Sequence, residues 1–291
     1  MSNTVNVAFE QEFSDTFIHL AAQKPSKFGS AVRNEIVNDA KAFHFDRMDG
    51  MTMQRATSRH EDTPLTEVPF SRRRVTFDTY RGADLIDSAD RVKMAKDPTS
   101  PTMKQILWSL NRTKDDIIID AARGNAVAID ADDATSNVAL PAAQKVAVGS
   151  TDLSLVKIIN ARKILLNADV DVHEEPIYFA IGPDQLEALL NDSTITSADY
   201  NSVRMLMGGD IDTFMGFKWI ISTRLIKSGT TRFCLAWAQS GLGLAMNGSP
   251  NTRMTERADK NYSMQVYLEA SLGAVRIEDE KVVEIACNES A

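Results

Sequence analysis

The stretch FHFDRMDGMTMQRATSRHEDTPLTEVPFSRRRVTF, Phe43 to Phe77, constrains this chain more than any other. It has strand chemistry. Ala42–Arg47 and Thr52–Ala56 alternate imperfectly, and Val75 and Phe77 alternate with polar neighbours through Arg72–Tyr80. Met48-Asp49-Gly50-Met51 holds an Asp-Gly pair, the pair that suits a tight hairpin turn. A polar tip, Ser58 to Thr63, follows, with Pro64 and Pro69 as punctuation. The pattern predicts a long two-stranded excursion over residues 39–80. A two-stranded ribbon is marginal by itself in water. Its apolar residues are too few to offset the entropy of ordering it, so the surface that covers it must come from elsewhere.

The remainder is that of an ordinary globular chain. It has 291 residues, 43% hydrophobic and 25% charged, enough for a core of normal size and a length suited to roughly two domains. No run of about 18 apolar residues occurs, so no membrane-spanning helix is expected. The opening MSNTVNVAFEQEF lacks the basic and apolar regions of a secretory signal and points to a cytosolic site of synthesis. Cys234 and Cys287 are far apart in strand-like apolar runs and read as small buried hydrophobes, not as a disulfide framework. A net charge of −8 argues against gripping duplex DNA by neutralising many phosphates.

Residues 1–38 read as an N-terminal arm, with Phe9, Phe13, Phe17, Leu20 and Ala21 on one face of a short helix ended by Pro25 and Gly29. A short helix is expected at 87–96, and the clearest helix in the chain at 100–123. Ser100 can cap the latter and Pro101 suits its first turn. Met103, Ile106, Leu107, Leu110, Ile117 and Ala121 form its stripe, and Arg123 with Gly124 close it. At ~1.5 Å per residue it is roughly 35 Å long. An edge strand is expected at Gln144–Val148, then a helix carrying Leu155, Ile158, Ile159, Leu165 and Leu166. Strand Ile177–Ile181, helix Asp184–Leu190, helix Ala198–Met207 and strands Phe214–Ser222 and Thr231–Ala238 follow. Gly241 to Gly248 reads as a loop or short strand. Strands Tyr262–Ser271, Ala274–Glu278 after a break at Gly273, and Val282–Cys287 end the chain. Strands and helices interleave irregularly, which predicts α+β rather than a doubly wound enzyme fold.

No motif for chemistry stands out. GLGLAMNG, from Gly241, has Met246 where a dinucleotide fingerprint needs its third glycine. DADDATSN, from Asp130, has Ala134 at the third ligand position of a calcium loop and reads as a solvated loop. His19, His44, His60 and His173 show no metal-ligand spacing. There is neither a Gly-x-Ser-x-Gly elbow nor a phosphate-binding loop. No catalytic, cofactor-binding or metal-binding residue is predicted, and no cofactor. The basic cluster Arg72-Arg73-Arg74 is either a solvated ribbon face or a contact with an acidic patch on another copy of the chain. The acidic candidates are Asp130, Asp132 and Asp133, or Glu278, Asp279 and Glu280. With Met48 and Met51 at the turn, the three arginines are the candidate inter-subunit contacts.

Three segments carry a resemblance. The ribbon leads into "SPTMKQILWSLNRTKDDIIIDAARGNA", where Asp115-Asp116-Ile117-Ile118 precedes Ala121-Ala122. "PIYFAIGPDQLEALLND" is followed by "GGDIDTFMGFKWIIST", with Gly209, Ile211 and Gly216 before the apolar strand Trp219–Ile221. "YSMQVYLEASLGAVRIEDEKVVEIAC" carries Leu272-Gly273-Ala274 and Arg276. From about residue 30 to the end, this order resembles the tailed-bacteriophage major capsid proteins of the Hong Kong 97 type.

The resemblance implies an α+β Hong Kong 97-type capsid fold. Its parts would be an N-arm at 1–38, an extended β-hairpin loop at 39–80, a peripheral domain at 81–152 and 252–291 with the long spine helix, and an axial domain at 153–251. It implies a non-enzymatic major capsid protein that self-assembles as pentamers and hexamers into an icosahedral shell. The shell would enclose a tailed phage's double-stranded DNA without sequence-specific binding, be assembled in the host cytoplasm, and reside in the virion. Portal and decoration proteins are implied as further partners, and no membrane. Only about 38 residues precede the ribbon, which leaves no room for a fused scaffolding segment, so a separate scaffolding protein is expected. The Lys–Asn crosslink of some relatives is not assigned here. The alternatives are an encapsulin-like nanocompartment shell and a soluble α+β enzyme with no visible motif.

Overall fold

A computed structural model describes residues 22–38, 40–48, 50–53, 55, 57–59, 62, 65, 68–87, 99–130, 134–149, 151–171, 174–191 and 213–289. The helical face expected at Phe9–Ala21, the helix expected at 87–96 apart from Asp87, and that expected at 198–207 lie outside the described residues, as do His19, Asp49, His60, Asp132, Asp133, His173, Gly209 and Ile211. The strands are β1 (Arg33–Val37), β2 (Ala42–Met48), β3 (Phe70–Thr76), β4 (Asp78–Ile86), β5 (Ala126–Ile129), β6 (Thr135–Val138), β7 (Lys145–Val146), β8 (Ile177–Ile181), β9 (Thr213–Phe214), β10 (Phe217–Ile221), β11 (Lys227–Ser228), β12 (Thr231–Ala238), β13 (Leu242–Arg257), β14 (Ser263–Arg276) and β15 (Val282–Asn288). The helices are α1 (Thr99–Arg123), α2 (Leu155–Asn167) and α3 (Pro183–Asn191).

The chain forms two compact units, each assembled from separate stretches. The larger comprises Ser26–Thr79, Thr113–Ser249 and Ser271–Ala291. Its principal sheet has the order β7-β15-β12-β8-β10-β9, with β11 on β12. β8 and β10 run parallel, which requires a crossover connection, and α3 lies in it. Where one strand was expected over Phe214–Ser222, two short strands meet at a two-residue turn. Met215 (φ 52°) and Gly216 (φ 80°) both take positive φ there, the hairpin geometry whose twist matches that of strands. Trp237 is fully buried between Phe28 and Tyr178, and its Nε1 donates to Ala31 O at 2.8 Å. Thus the end of the expected arm is core: Phe28, Ala31 and Val32 are buried, and β1 pairs with β13 in parallel.

Several expectations shift. α2 buries Ile158, Ala161 and Leu165, but Ile159 and Leu166 of its expected stripe face outward. On α1 the buried positions are Leu110, Asp115, Ile118, Ile119 and Ala122, while Leu107 is exposed and Ile117 and Ala121 are half-buried. Asp115 is buried because it accepts from Ser26 Oγ at 2.5 Å and from the backbone N–H of Lys27 and Phe28. The run from Gly241, read as a loop or short strand, is strand from Leu242 onward and belongs to the 16-residue β13. Its glycines, and the polar run that follows from Asn247, concealed its length. Pairing with β1 and β14 overrides that local preference. Gly273 does not break β14; the strand runs through it. A Cβ there would sit 2.3 Å from Thr76 O and 2.6 Å from Val75, so only glycine permits this approach.

The smaller unit comprises Met1–Pro25, Tyr80–Arg112 and Pro250–Ala270. It contains most of β4, the first half of α1 and the outer parts of β13 and β14. Gly82 lies close to Ile106, Lys24 Nζ sits 5.2 Å from the Trp108 ring centroid, and Arg81 pairs with Glu269 at 3.5 Å.

Candidate functional site

The ribbon is built differently from its sequence reading. β2 pairs with β3 in an antiparallel register from Ala42↔Thr76 to Met48↔Phe70. The partner of 42–48 is therefore 70–76 rather than 52–56, and residues 49–69 form the whole connection. The Asp-Gly pair does not close this hairpin. Burial explains the choice: in this register Phe43 faces Val75 and Phe45 faces Arg73. Phe45 and Val75 then share a core cluster with Ala126, Ala245, Val275 and Ile277. β3 also pairs with β5, and β5 with β6, so the ribbon's base is half of a four-stranded sheet.

Successive side chains on a strand point to opposite faces, which splits the three arginines. Arg73 points inward and is 3% exposed. Its Nη2 meets Asp279 Oδ2 at 2.7 Å and its Nε donates to Ile277 O at 3.4 Å. Arg276, fully buried, takes the other oxygen of Asp279 at 2.5 Å. The Arg276 guanidinium also donates to Ala122 O at 3.2 Å, Gly124 O at 2.7 Å and Val138 O at 2.9 Å. Asp279, expected as a partner on another copy, therefore binds Arg73 within the same chain. Burial lowers the Arg73 pKa; Asp279 opposes that shift, while Arg47 and Arg276 reinforce it. Arg73 is thus a correction to the set of expected inter-subunit contacts. Arg72 is exposed and reaches Asp46 at 2.9 Å. Arg74 is half-buried, and its buried Nε has no hydrogen-bond partner among the described residues.

Beyond the anchored base, exposed apolar side chains stand among exposed polar ones such as Thr52, Arg55 and Arg59. Met48 and Met51 are exposed as expected for contact residues. Met53 (92% exposed), Leu65 (95%) and Phe70 are exposed as well. These last three were missed. The signal was present, since large apolar residues within a polar stretch without a periodic pattern have no core of their own. A concentration of exposed apolar side chains marks a contact surface. The arrangement offers no acid–base pair, and among the described residues no group of His, Cys, Asp or Glu could hold a metal ion.

A family model described as "Phage capsid protein" matches residues 5–289. No curated protein sequence matches the chain. Among solved structures, it is similar to the capsid of Ralstonia phage GP4, with TM-score 0.78, 13% identity, and coverage of 99% of this chain and 97% of that one. The capsid of cyanophage P-SCSP1u aligns with TM-score 0.74 and 13% identity, covering 100% and 96%. That of cyanophage Pam1 aligns with TM-score 0.72 and 14% identity, covering 100% of both chains. At such identities these likenesses establish the fold.

Proposed function

This chain belongs to the phage capsid protein family, and from that premise we propose how it builds a shell. It is a major capsid protein with the Hong Kong 97-type fold, a structural component of a virion. Neither the nanocompartment nor the enzyme alternative is favoured. Copies join through the ribbon. Its base is held in the chain's own sheet, while residues 49–69 carry apolar side chains that a neighbouring subunit would cover. Met48, Met51, Arg72 and Arg74 are the proposed contact residues. Residues 153–251 act as the axial part of the subunit, and 81–152 with 252–291 as the peripheral part. One heterologous contact repeated among identical chains closes into rings, here pentamers and hexamers. Many modest contacts per subunit then sum to a stable shell. A separate scaffolding protein, a portal and a decoration protein complete the assembly in the host cytoplasm. The shell contains double-stranded DNA without reading its sequence, consistent with a net charge of −8.

The observation that carries this reading is the exposed apolar set on an otherwise anchored ribbon. Replacing residues 50–68 with a short Gly/Ser linker retains the Met48↔Phe70 pair. The variant is expected to melt within a few degrees of the full chain and to form no shells by electron microscopy. Normal shells, or an unfolded chain, would show that the segment belongs elsewhere.

A further inference from the structure

α2 has two faces that its buried stripe does not explain. Val156, Ile159, Asn160, Lys163, Leu166 and Asn167 recur at helical spacing on the outward side, and all are exposed. Three of the six are large and apolar; Val156 is 65% exposed. Beside the stripe, a cavity of about 420 Å³ is lined by Lys145, Val146 and Ala147 of the β7 segment and by Asn160, Lys163, Ile164 and Asn167. Its lining includes two ammonium groups and no carboxylate. The surface is therefore cationic and apolar in a chain of net charge −8.

α3 carries the complement. It buries Gln185 and Leu189, and turns Pro183, Asp184, Glu187 and Asn191 outward. Asp184, 3.9 Å from Arg232 of its own chain, and Glu187 are one turn apart, and Leu186 and Leu190, which pack partly on the chain's own core, leave only their outer edges beside them. We propose that the outward face of α2 packs against the outward face of α3 of a second copy, with Lys163 opposite Glu187. Phosphates could satisfy Lys145 and Lys163 but would leave Val156, Ile159 and Leu166 in water. A second helix with apolar shoulders and acidic residues satisfies both. The two faces differ, so the contact is heterologous and repeats around a ring. This rests on the shell reading and names which surfaces of neighbouring subunits meet.

A charge swap tests it. Lys163→Glu and Glu187→Lys are each expected to lower particle yield about tenfold while far-UV circular dichroism stays unchanged, and the double variant to recover to within about twofold of the original. Unimpaired single variants, or no recovery in the double, overturn the contact. Both outcomes leave the shell reading intact, because the unaltered chain still assembles; failure of the unaltered chain would count against that reading instead. If a variant fails to fold, the unaltered particles decide. Zero-length carbodiimide crosslinking of mixed isotope-labelled subunits is expected to join Lys163 of one copy to Glu187 of another. Links from Lys163 only to other carboxylates overturn the proposal.

Discussion

Three adjacent arginines have three fates, and the alternation of a strand decides them. Arg73 and Arg276 hold opposite oxygens of one buried carboxylate, Asp279. Arg73→Met leaves Asp279 paired with Arg276 but strips one charged hydrogen bond from it, so it is expected to cost about 2 kcal/mol in denaturant melts. Arg72→Glu, at an exposed pair with Asp46, is expected to change stability by less than about 0.5 kcal/mol. A second polar cluster lies near the end of the chain. Glu289 meets Lys227 Nζ at 2.5 Å and Gln185 Nε2 at 3.0 Å, and it also pairs with Arg232. Burial pushes its pKa up, but hydrogen bonds from Arg232, Lys227 and Gln185 outweigh burial and hold it at about 2. A depressed carboxylate stabilises the fold above its unfolded value of ~4.3 and loses that contribution as the pH falls toward the folded value. Glu289→Gln is expected to cost about 2 kcal/mol at neutral pH. The gap between variant and original should close as the pH approaches about 2, read from urea melts across a pH series.

Among the elements, those with strong internal signals appear where expected. Ile177–Ile181 and Thr231–Ala238 have the bounds their apolar runs predict, and α1 begins one residue before its expected start. Elements defined by partners do not. The opening of β13 reads as a loop or short strand because of its glycines, and the mate of β2 is 70–76 rather than 52–56. Gly273 looks like a strand breaker and is instead a residue of β14 packed directly against Val75 and Thr76 of β3. Gly273→Ala places a methyl against the Thr76 carbonyl and the Val75 side chain. It is expected to destabilise by about 2–3 kcal/mol in thermal melts, a cost typical of overpacking where backbone must shift. An unchanged melting midpoint would mean that the sheet yields easily there.

At the scale of the molecule, the described residues include exposed apolar side chains on the ribbon and on α2. The ribbon's base contributes Phe45 and Val75 to the chain's own core, so the subunit is more self-sufficient than a wholly detached ribbon would make it. Its apolar residues beyond that base, and the outward stripe of α2, are exposed, and these are the surfaces proposed to meet other copies. For a phage capsid protein, purified particles are expected to contain double-stranded DNA, measured by nuclease-protected absorbance. Particles filled instead with a protein cargo would favour the nanocompartment alternative.

The amino-acid sequence by itself determined the class of fold, the long helix, the central apolar strands and the presence of a ribbon too poor in apolar residues to stand unsupported. Those features follow from local periodicity and composition, which are properties of short windows. Only the tertiary structure decided that Arg73 turns inward to Asp279, that 42–48 pairs with 70–76, and that Ile159 and Leu166 face out. Each depends on which distant segment supplies the opposing surface, and a one-residue change of register would send every side chain of a strand to its other face.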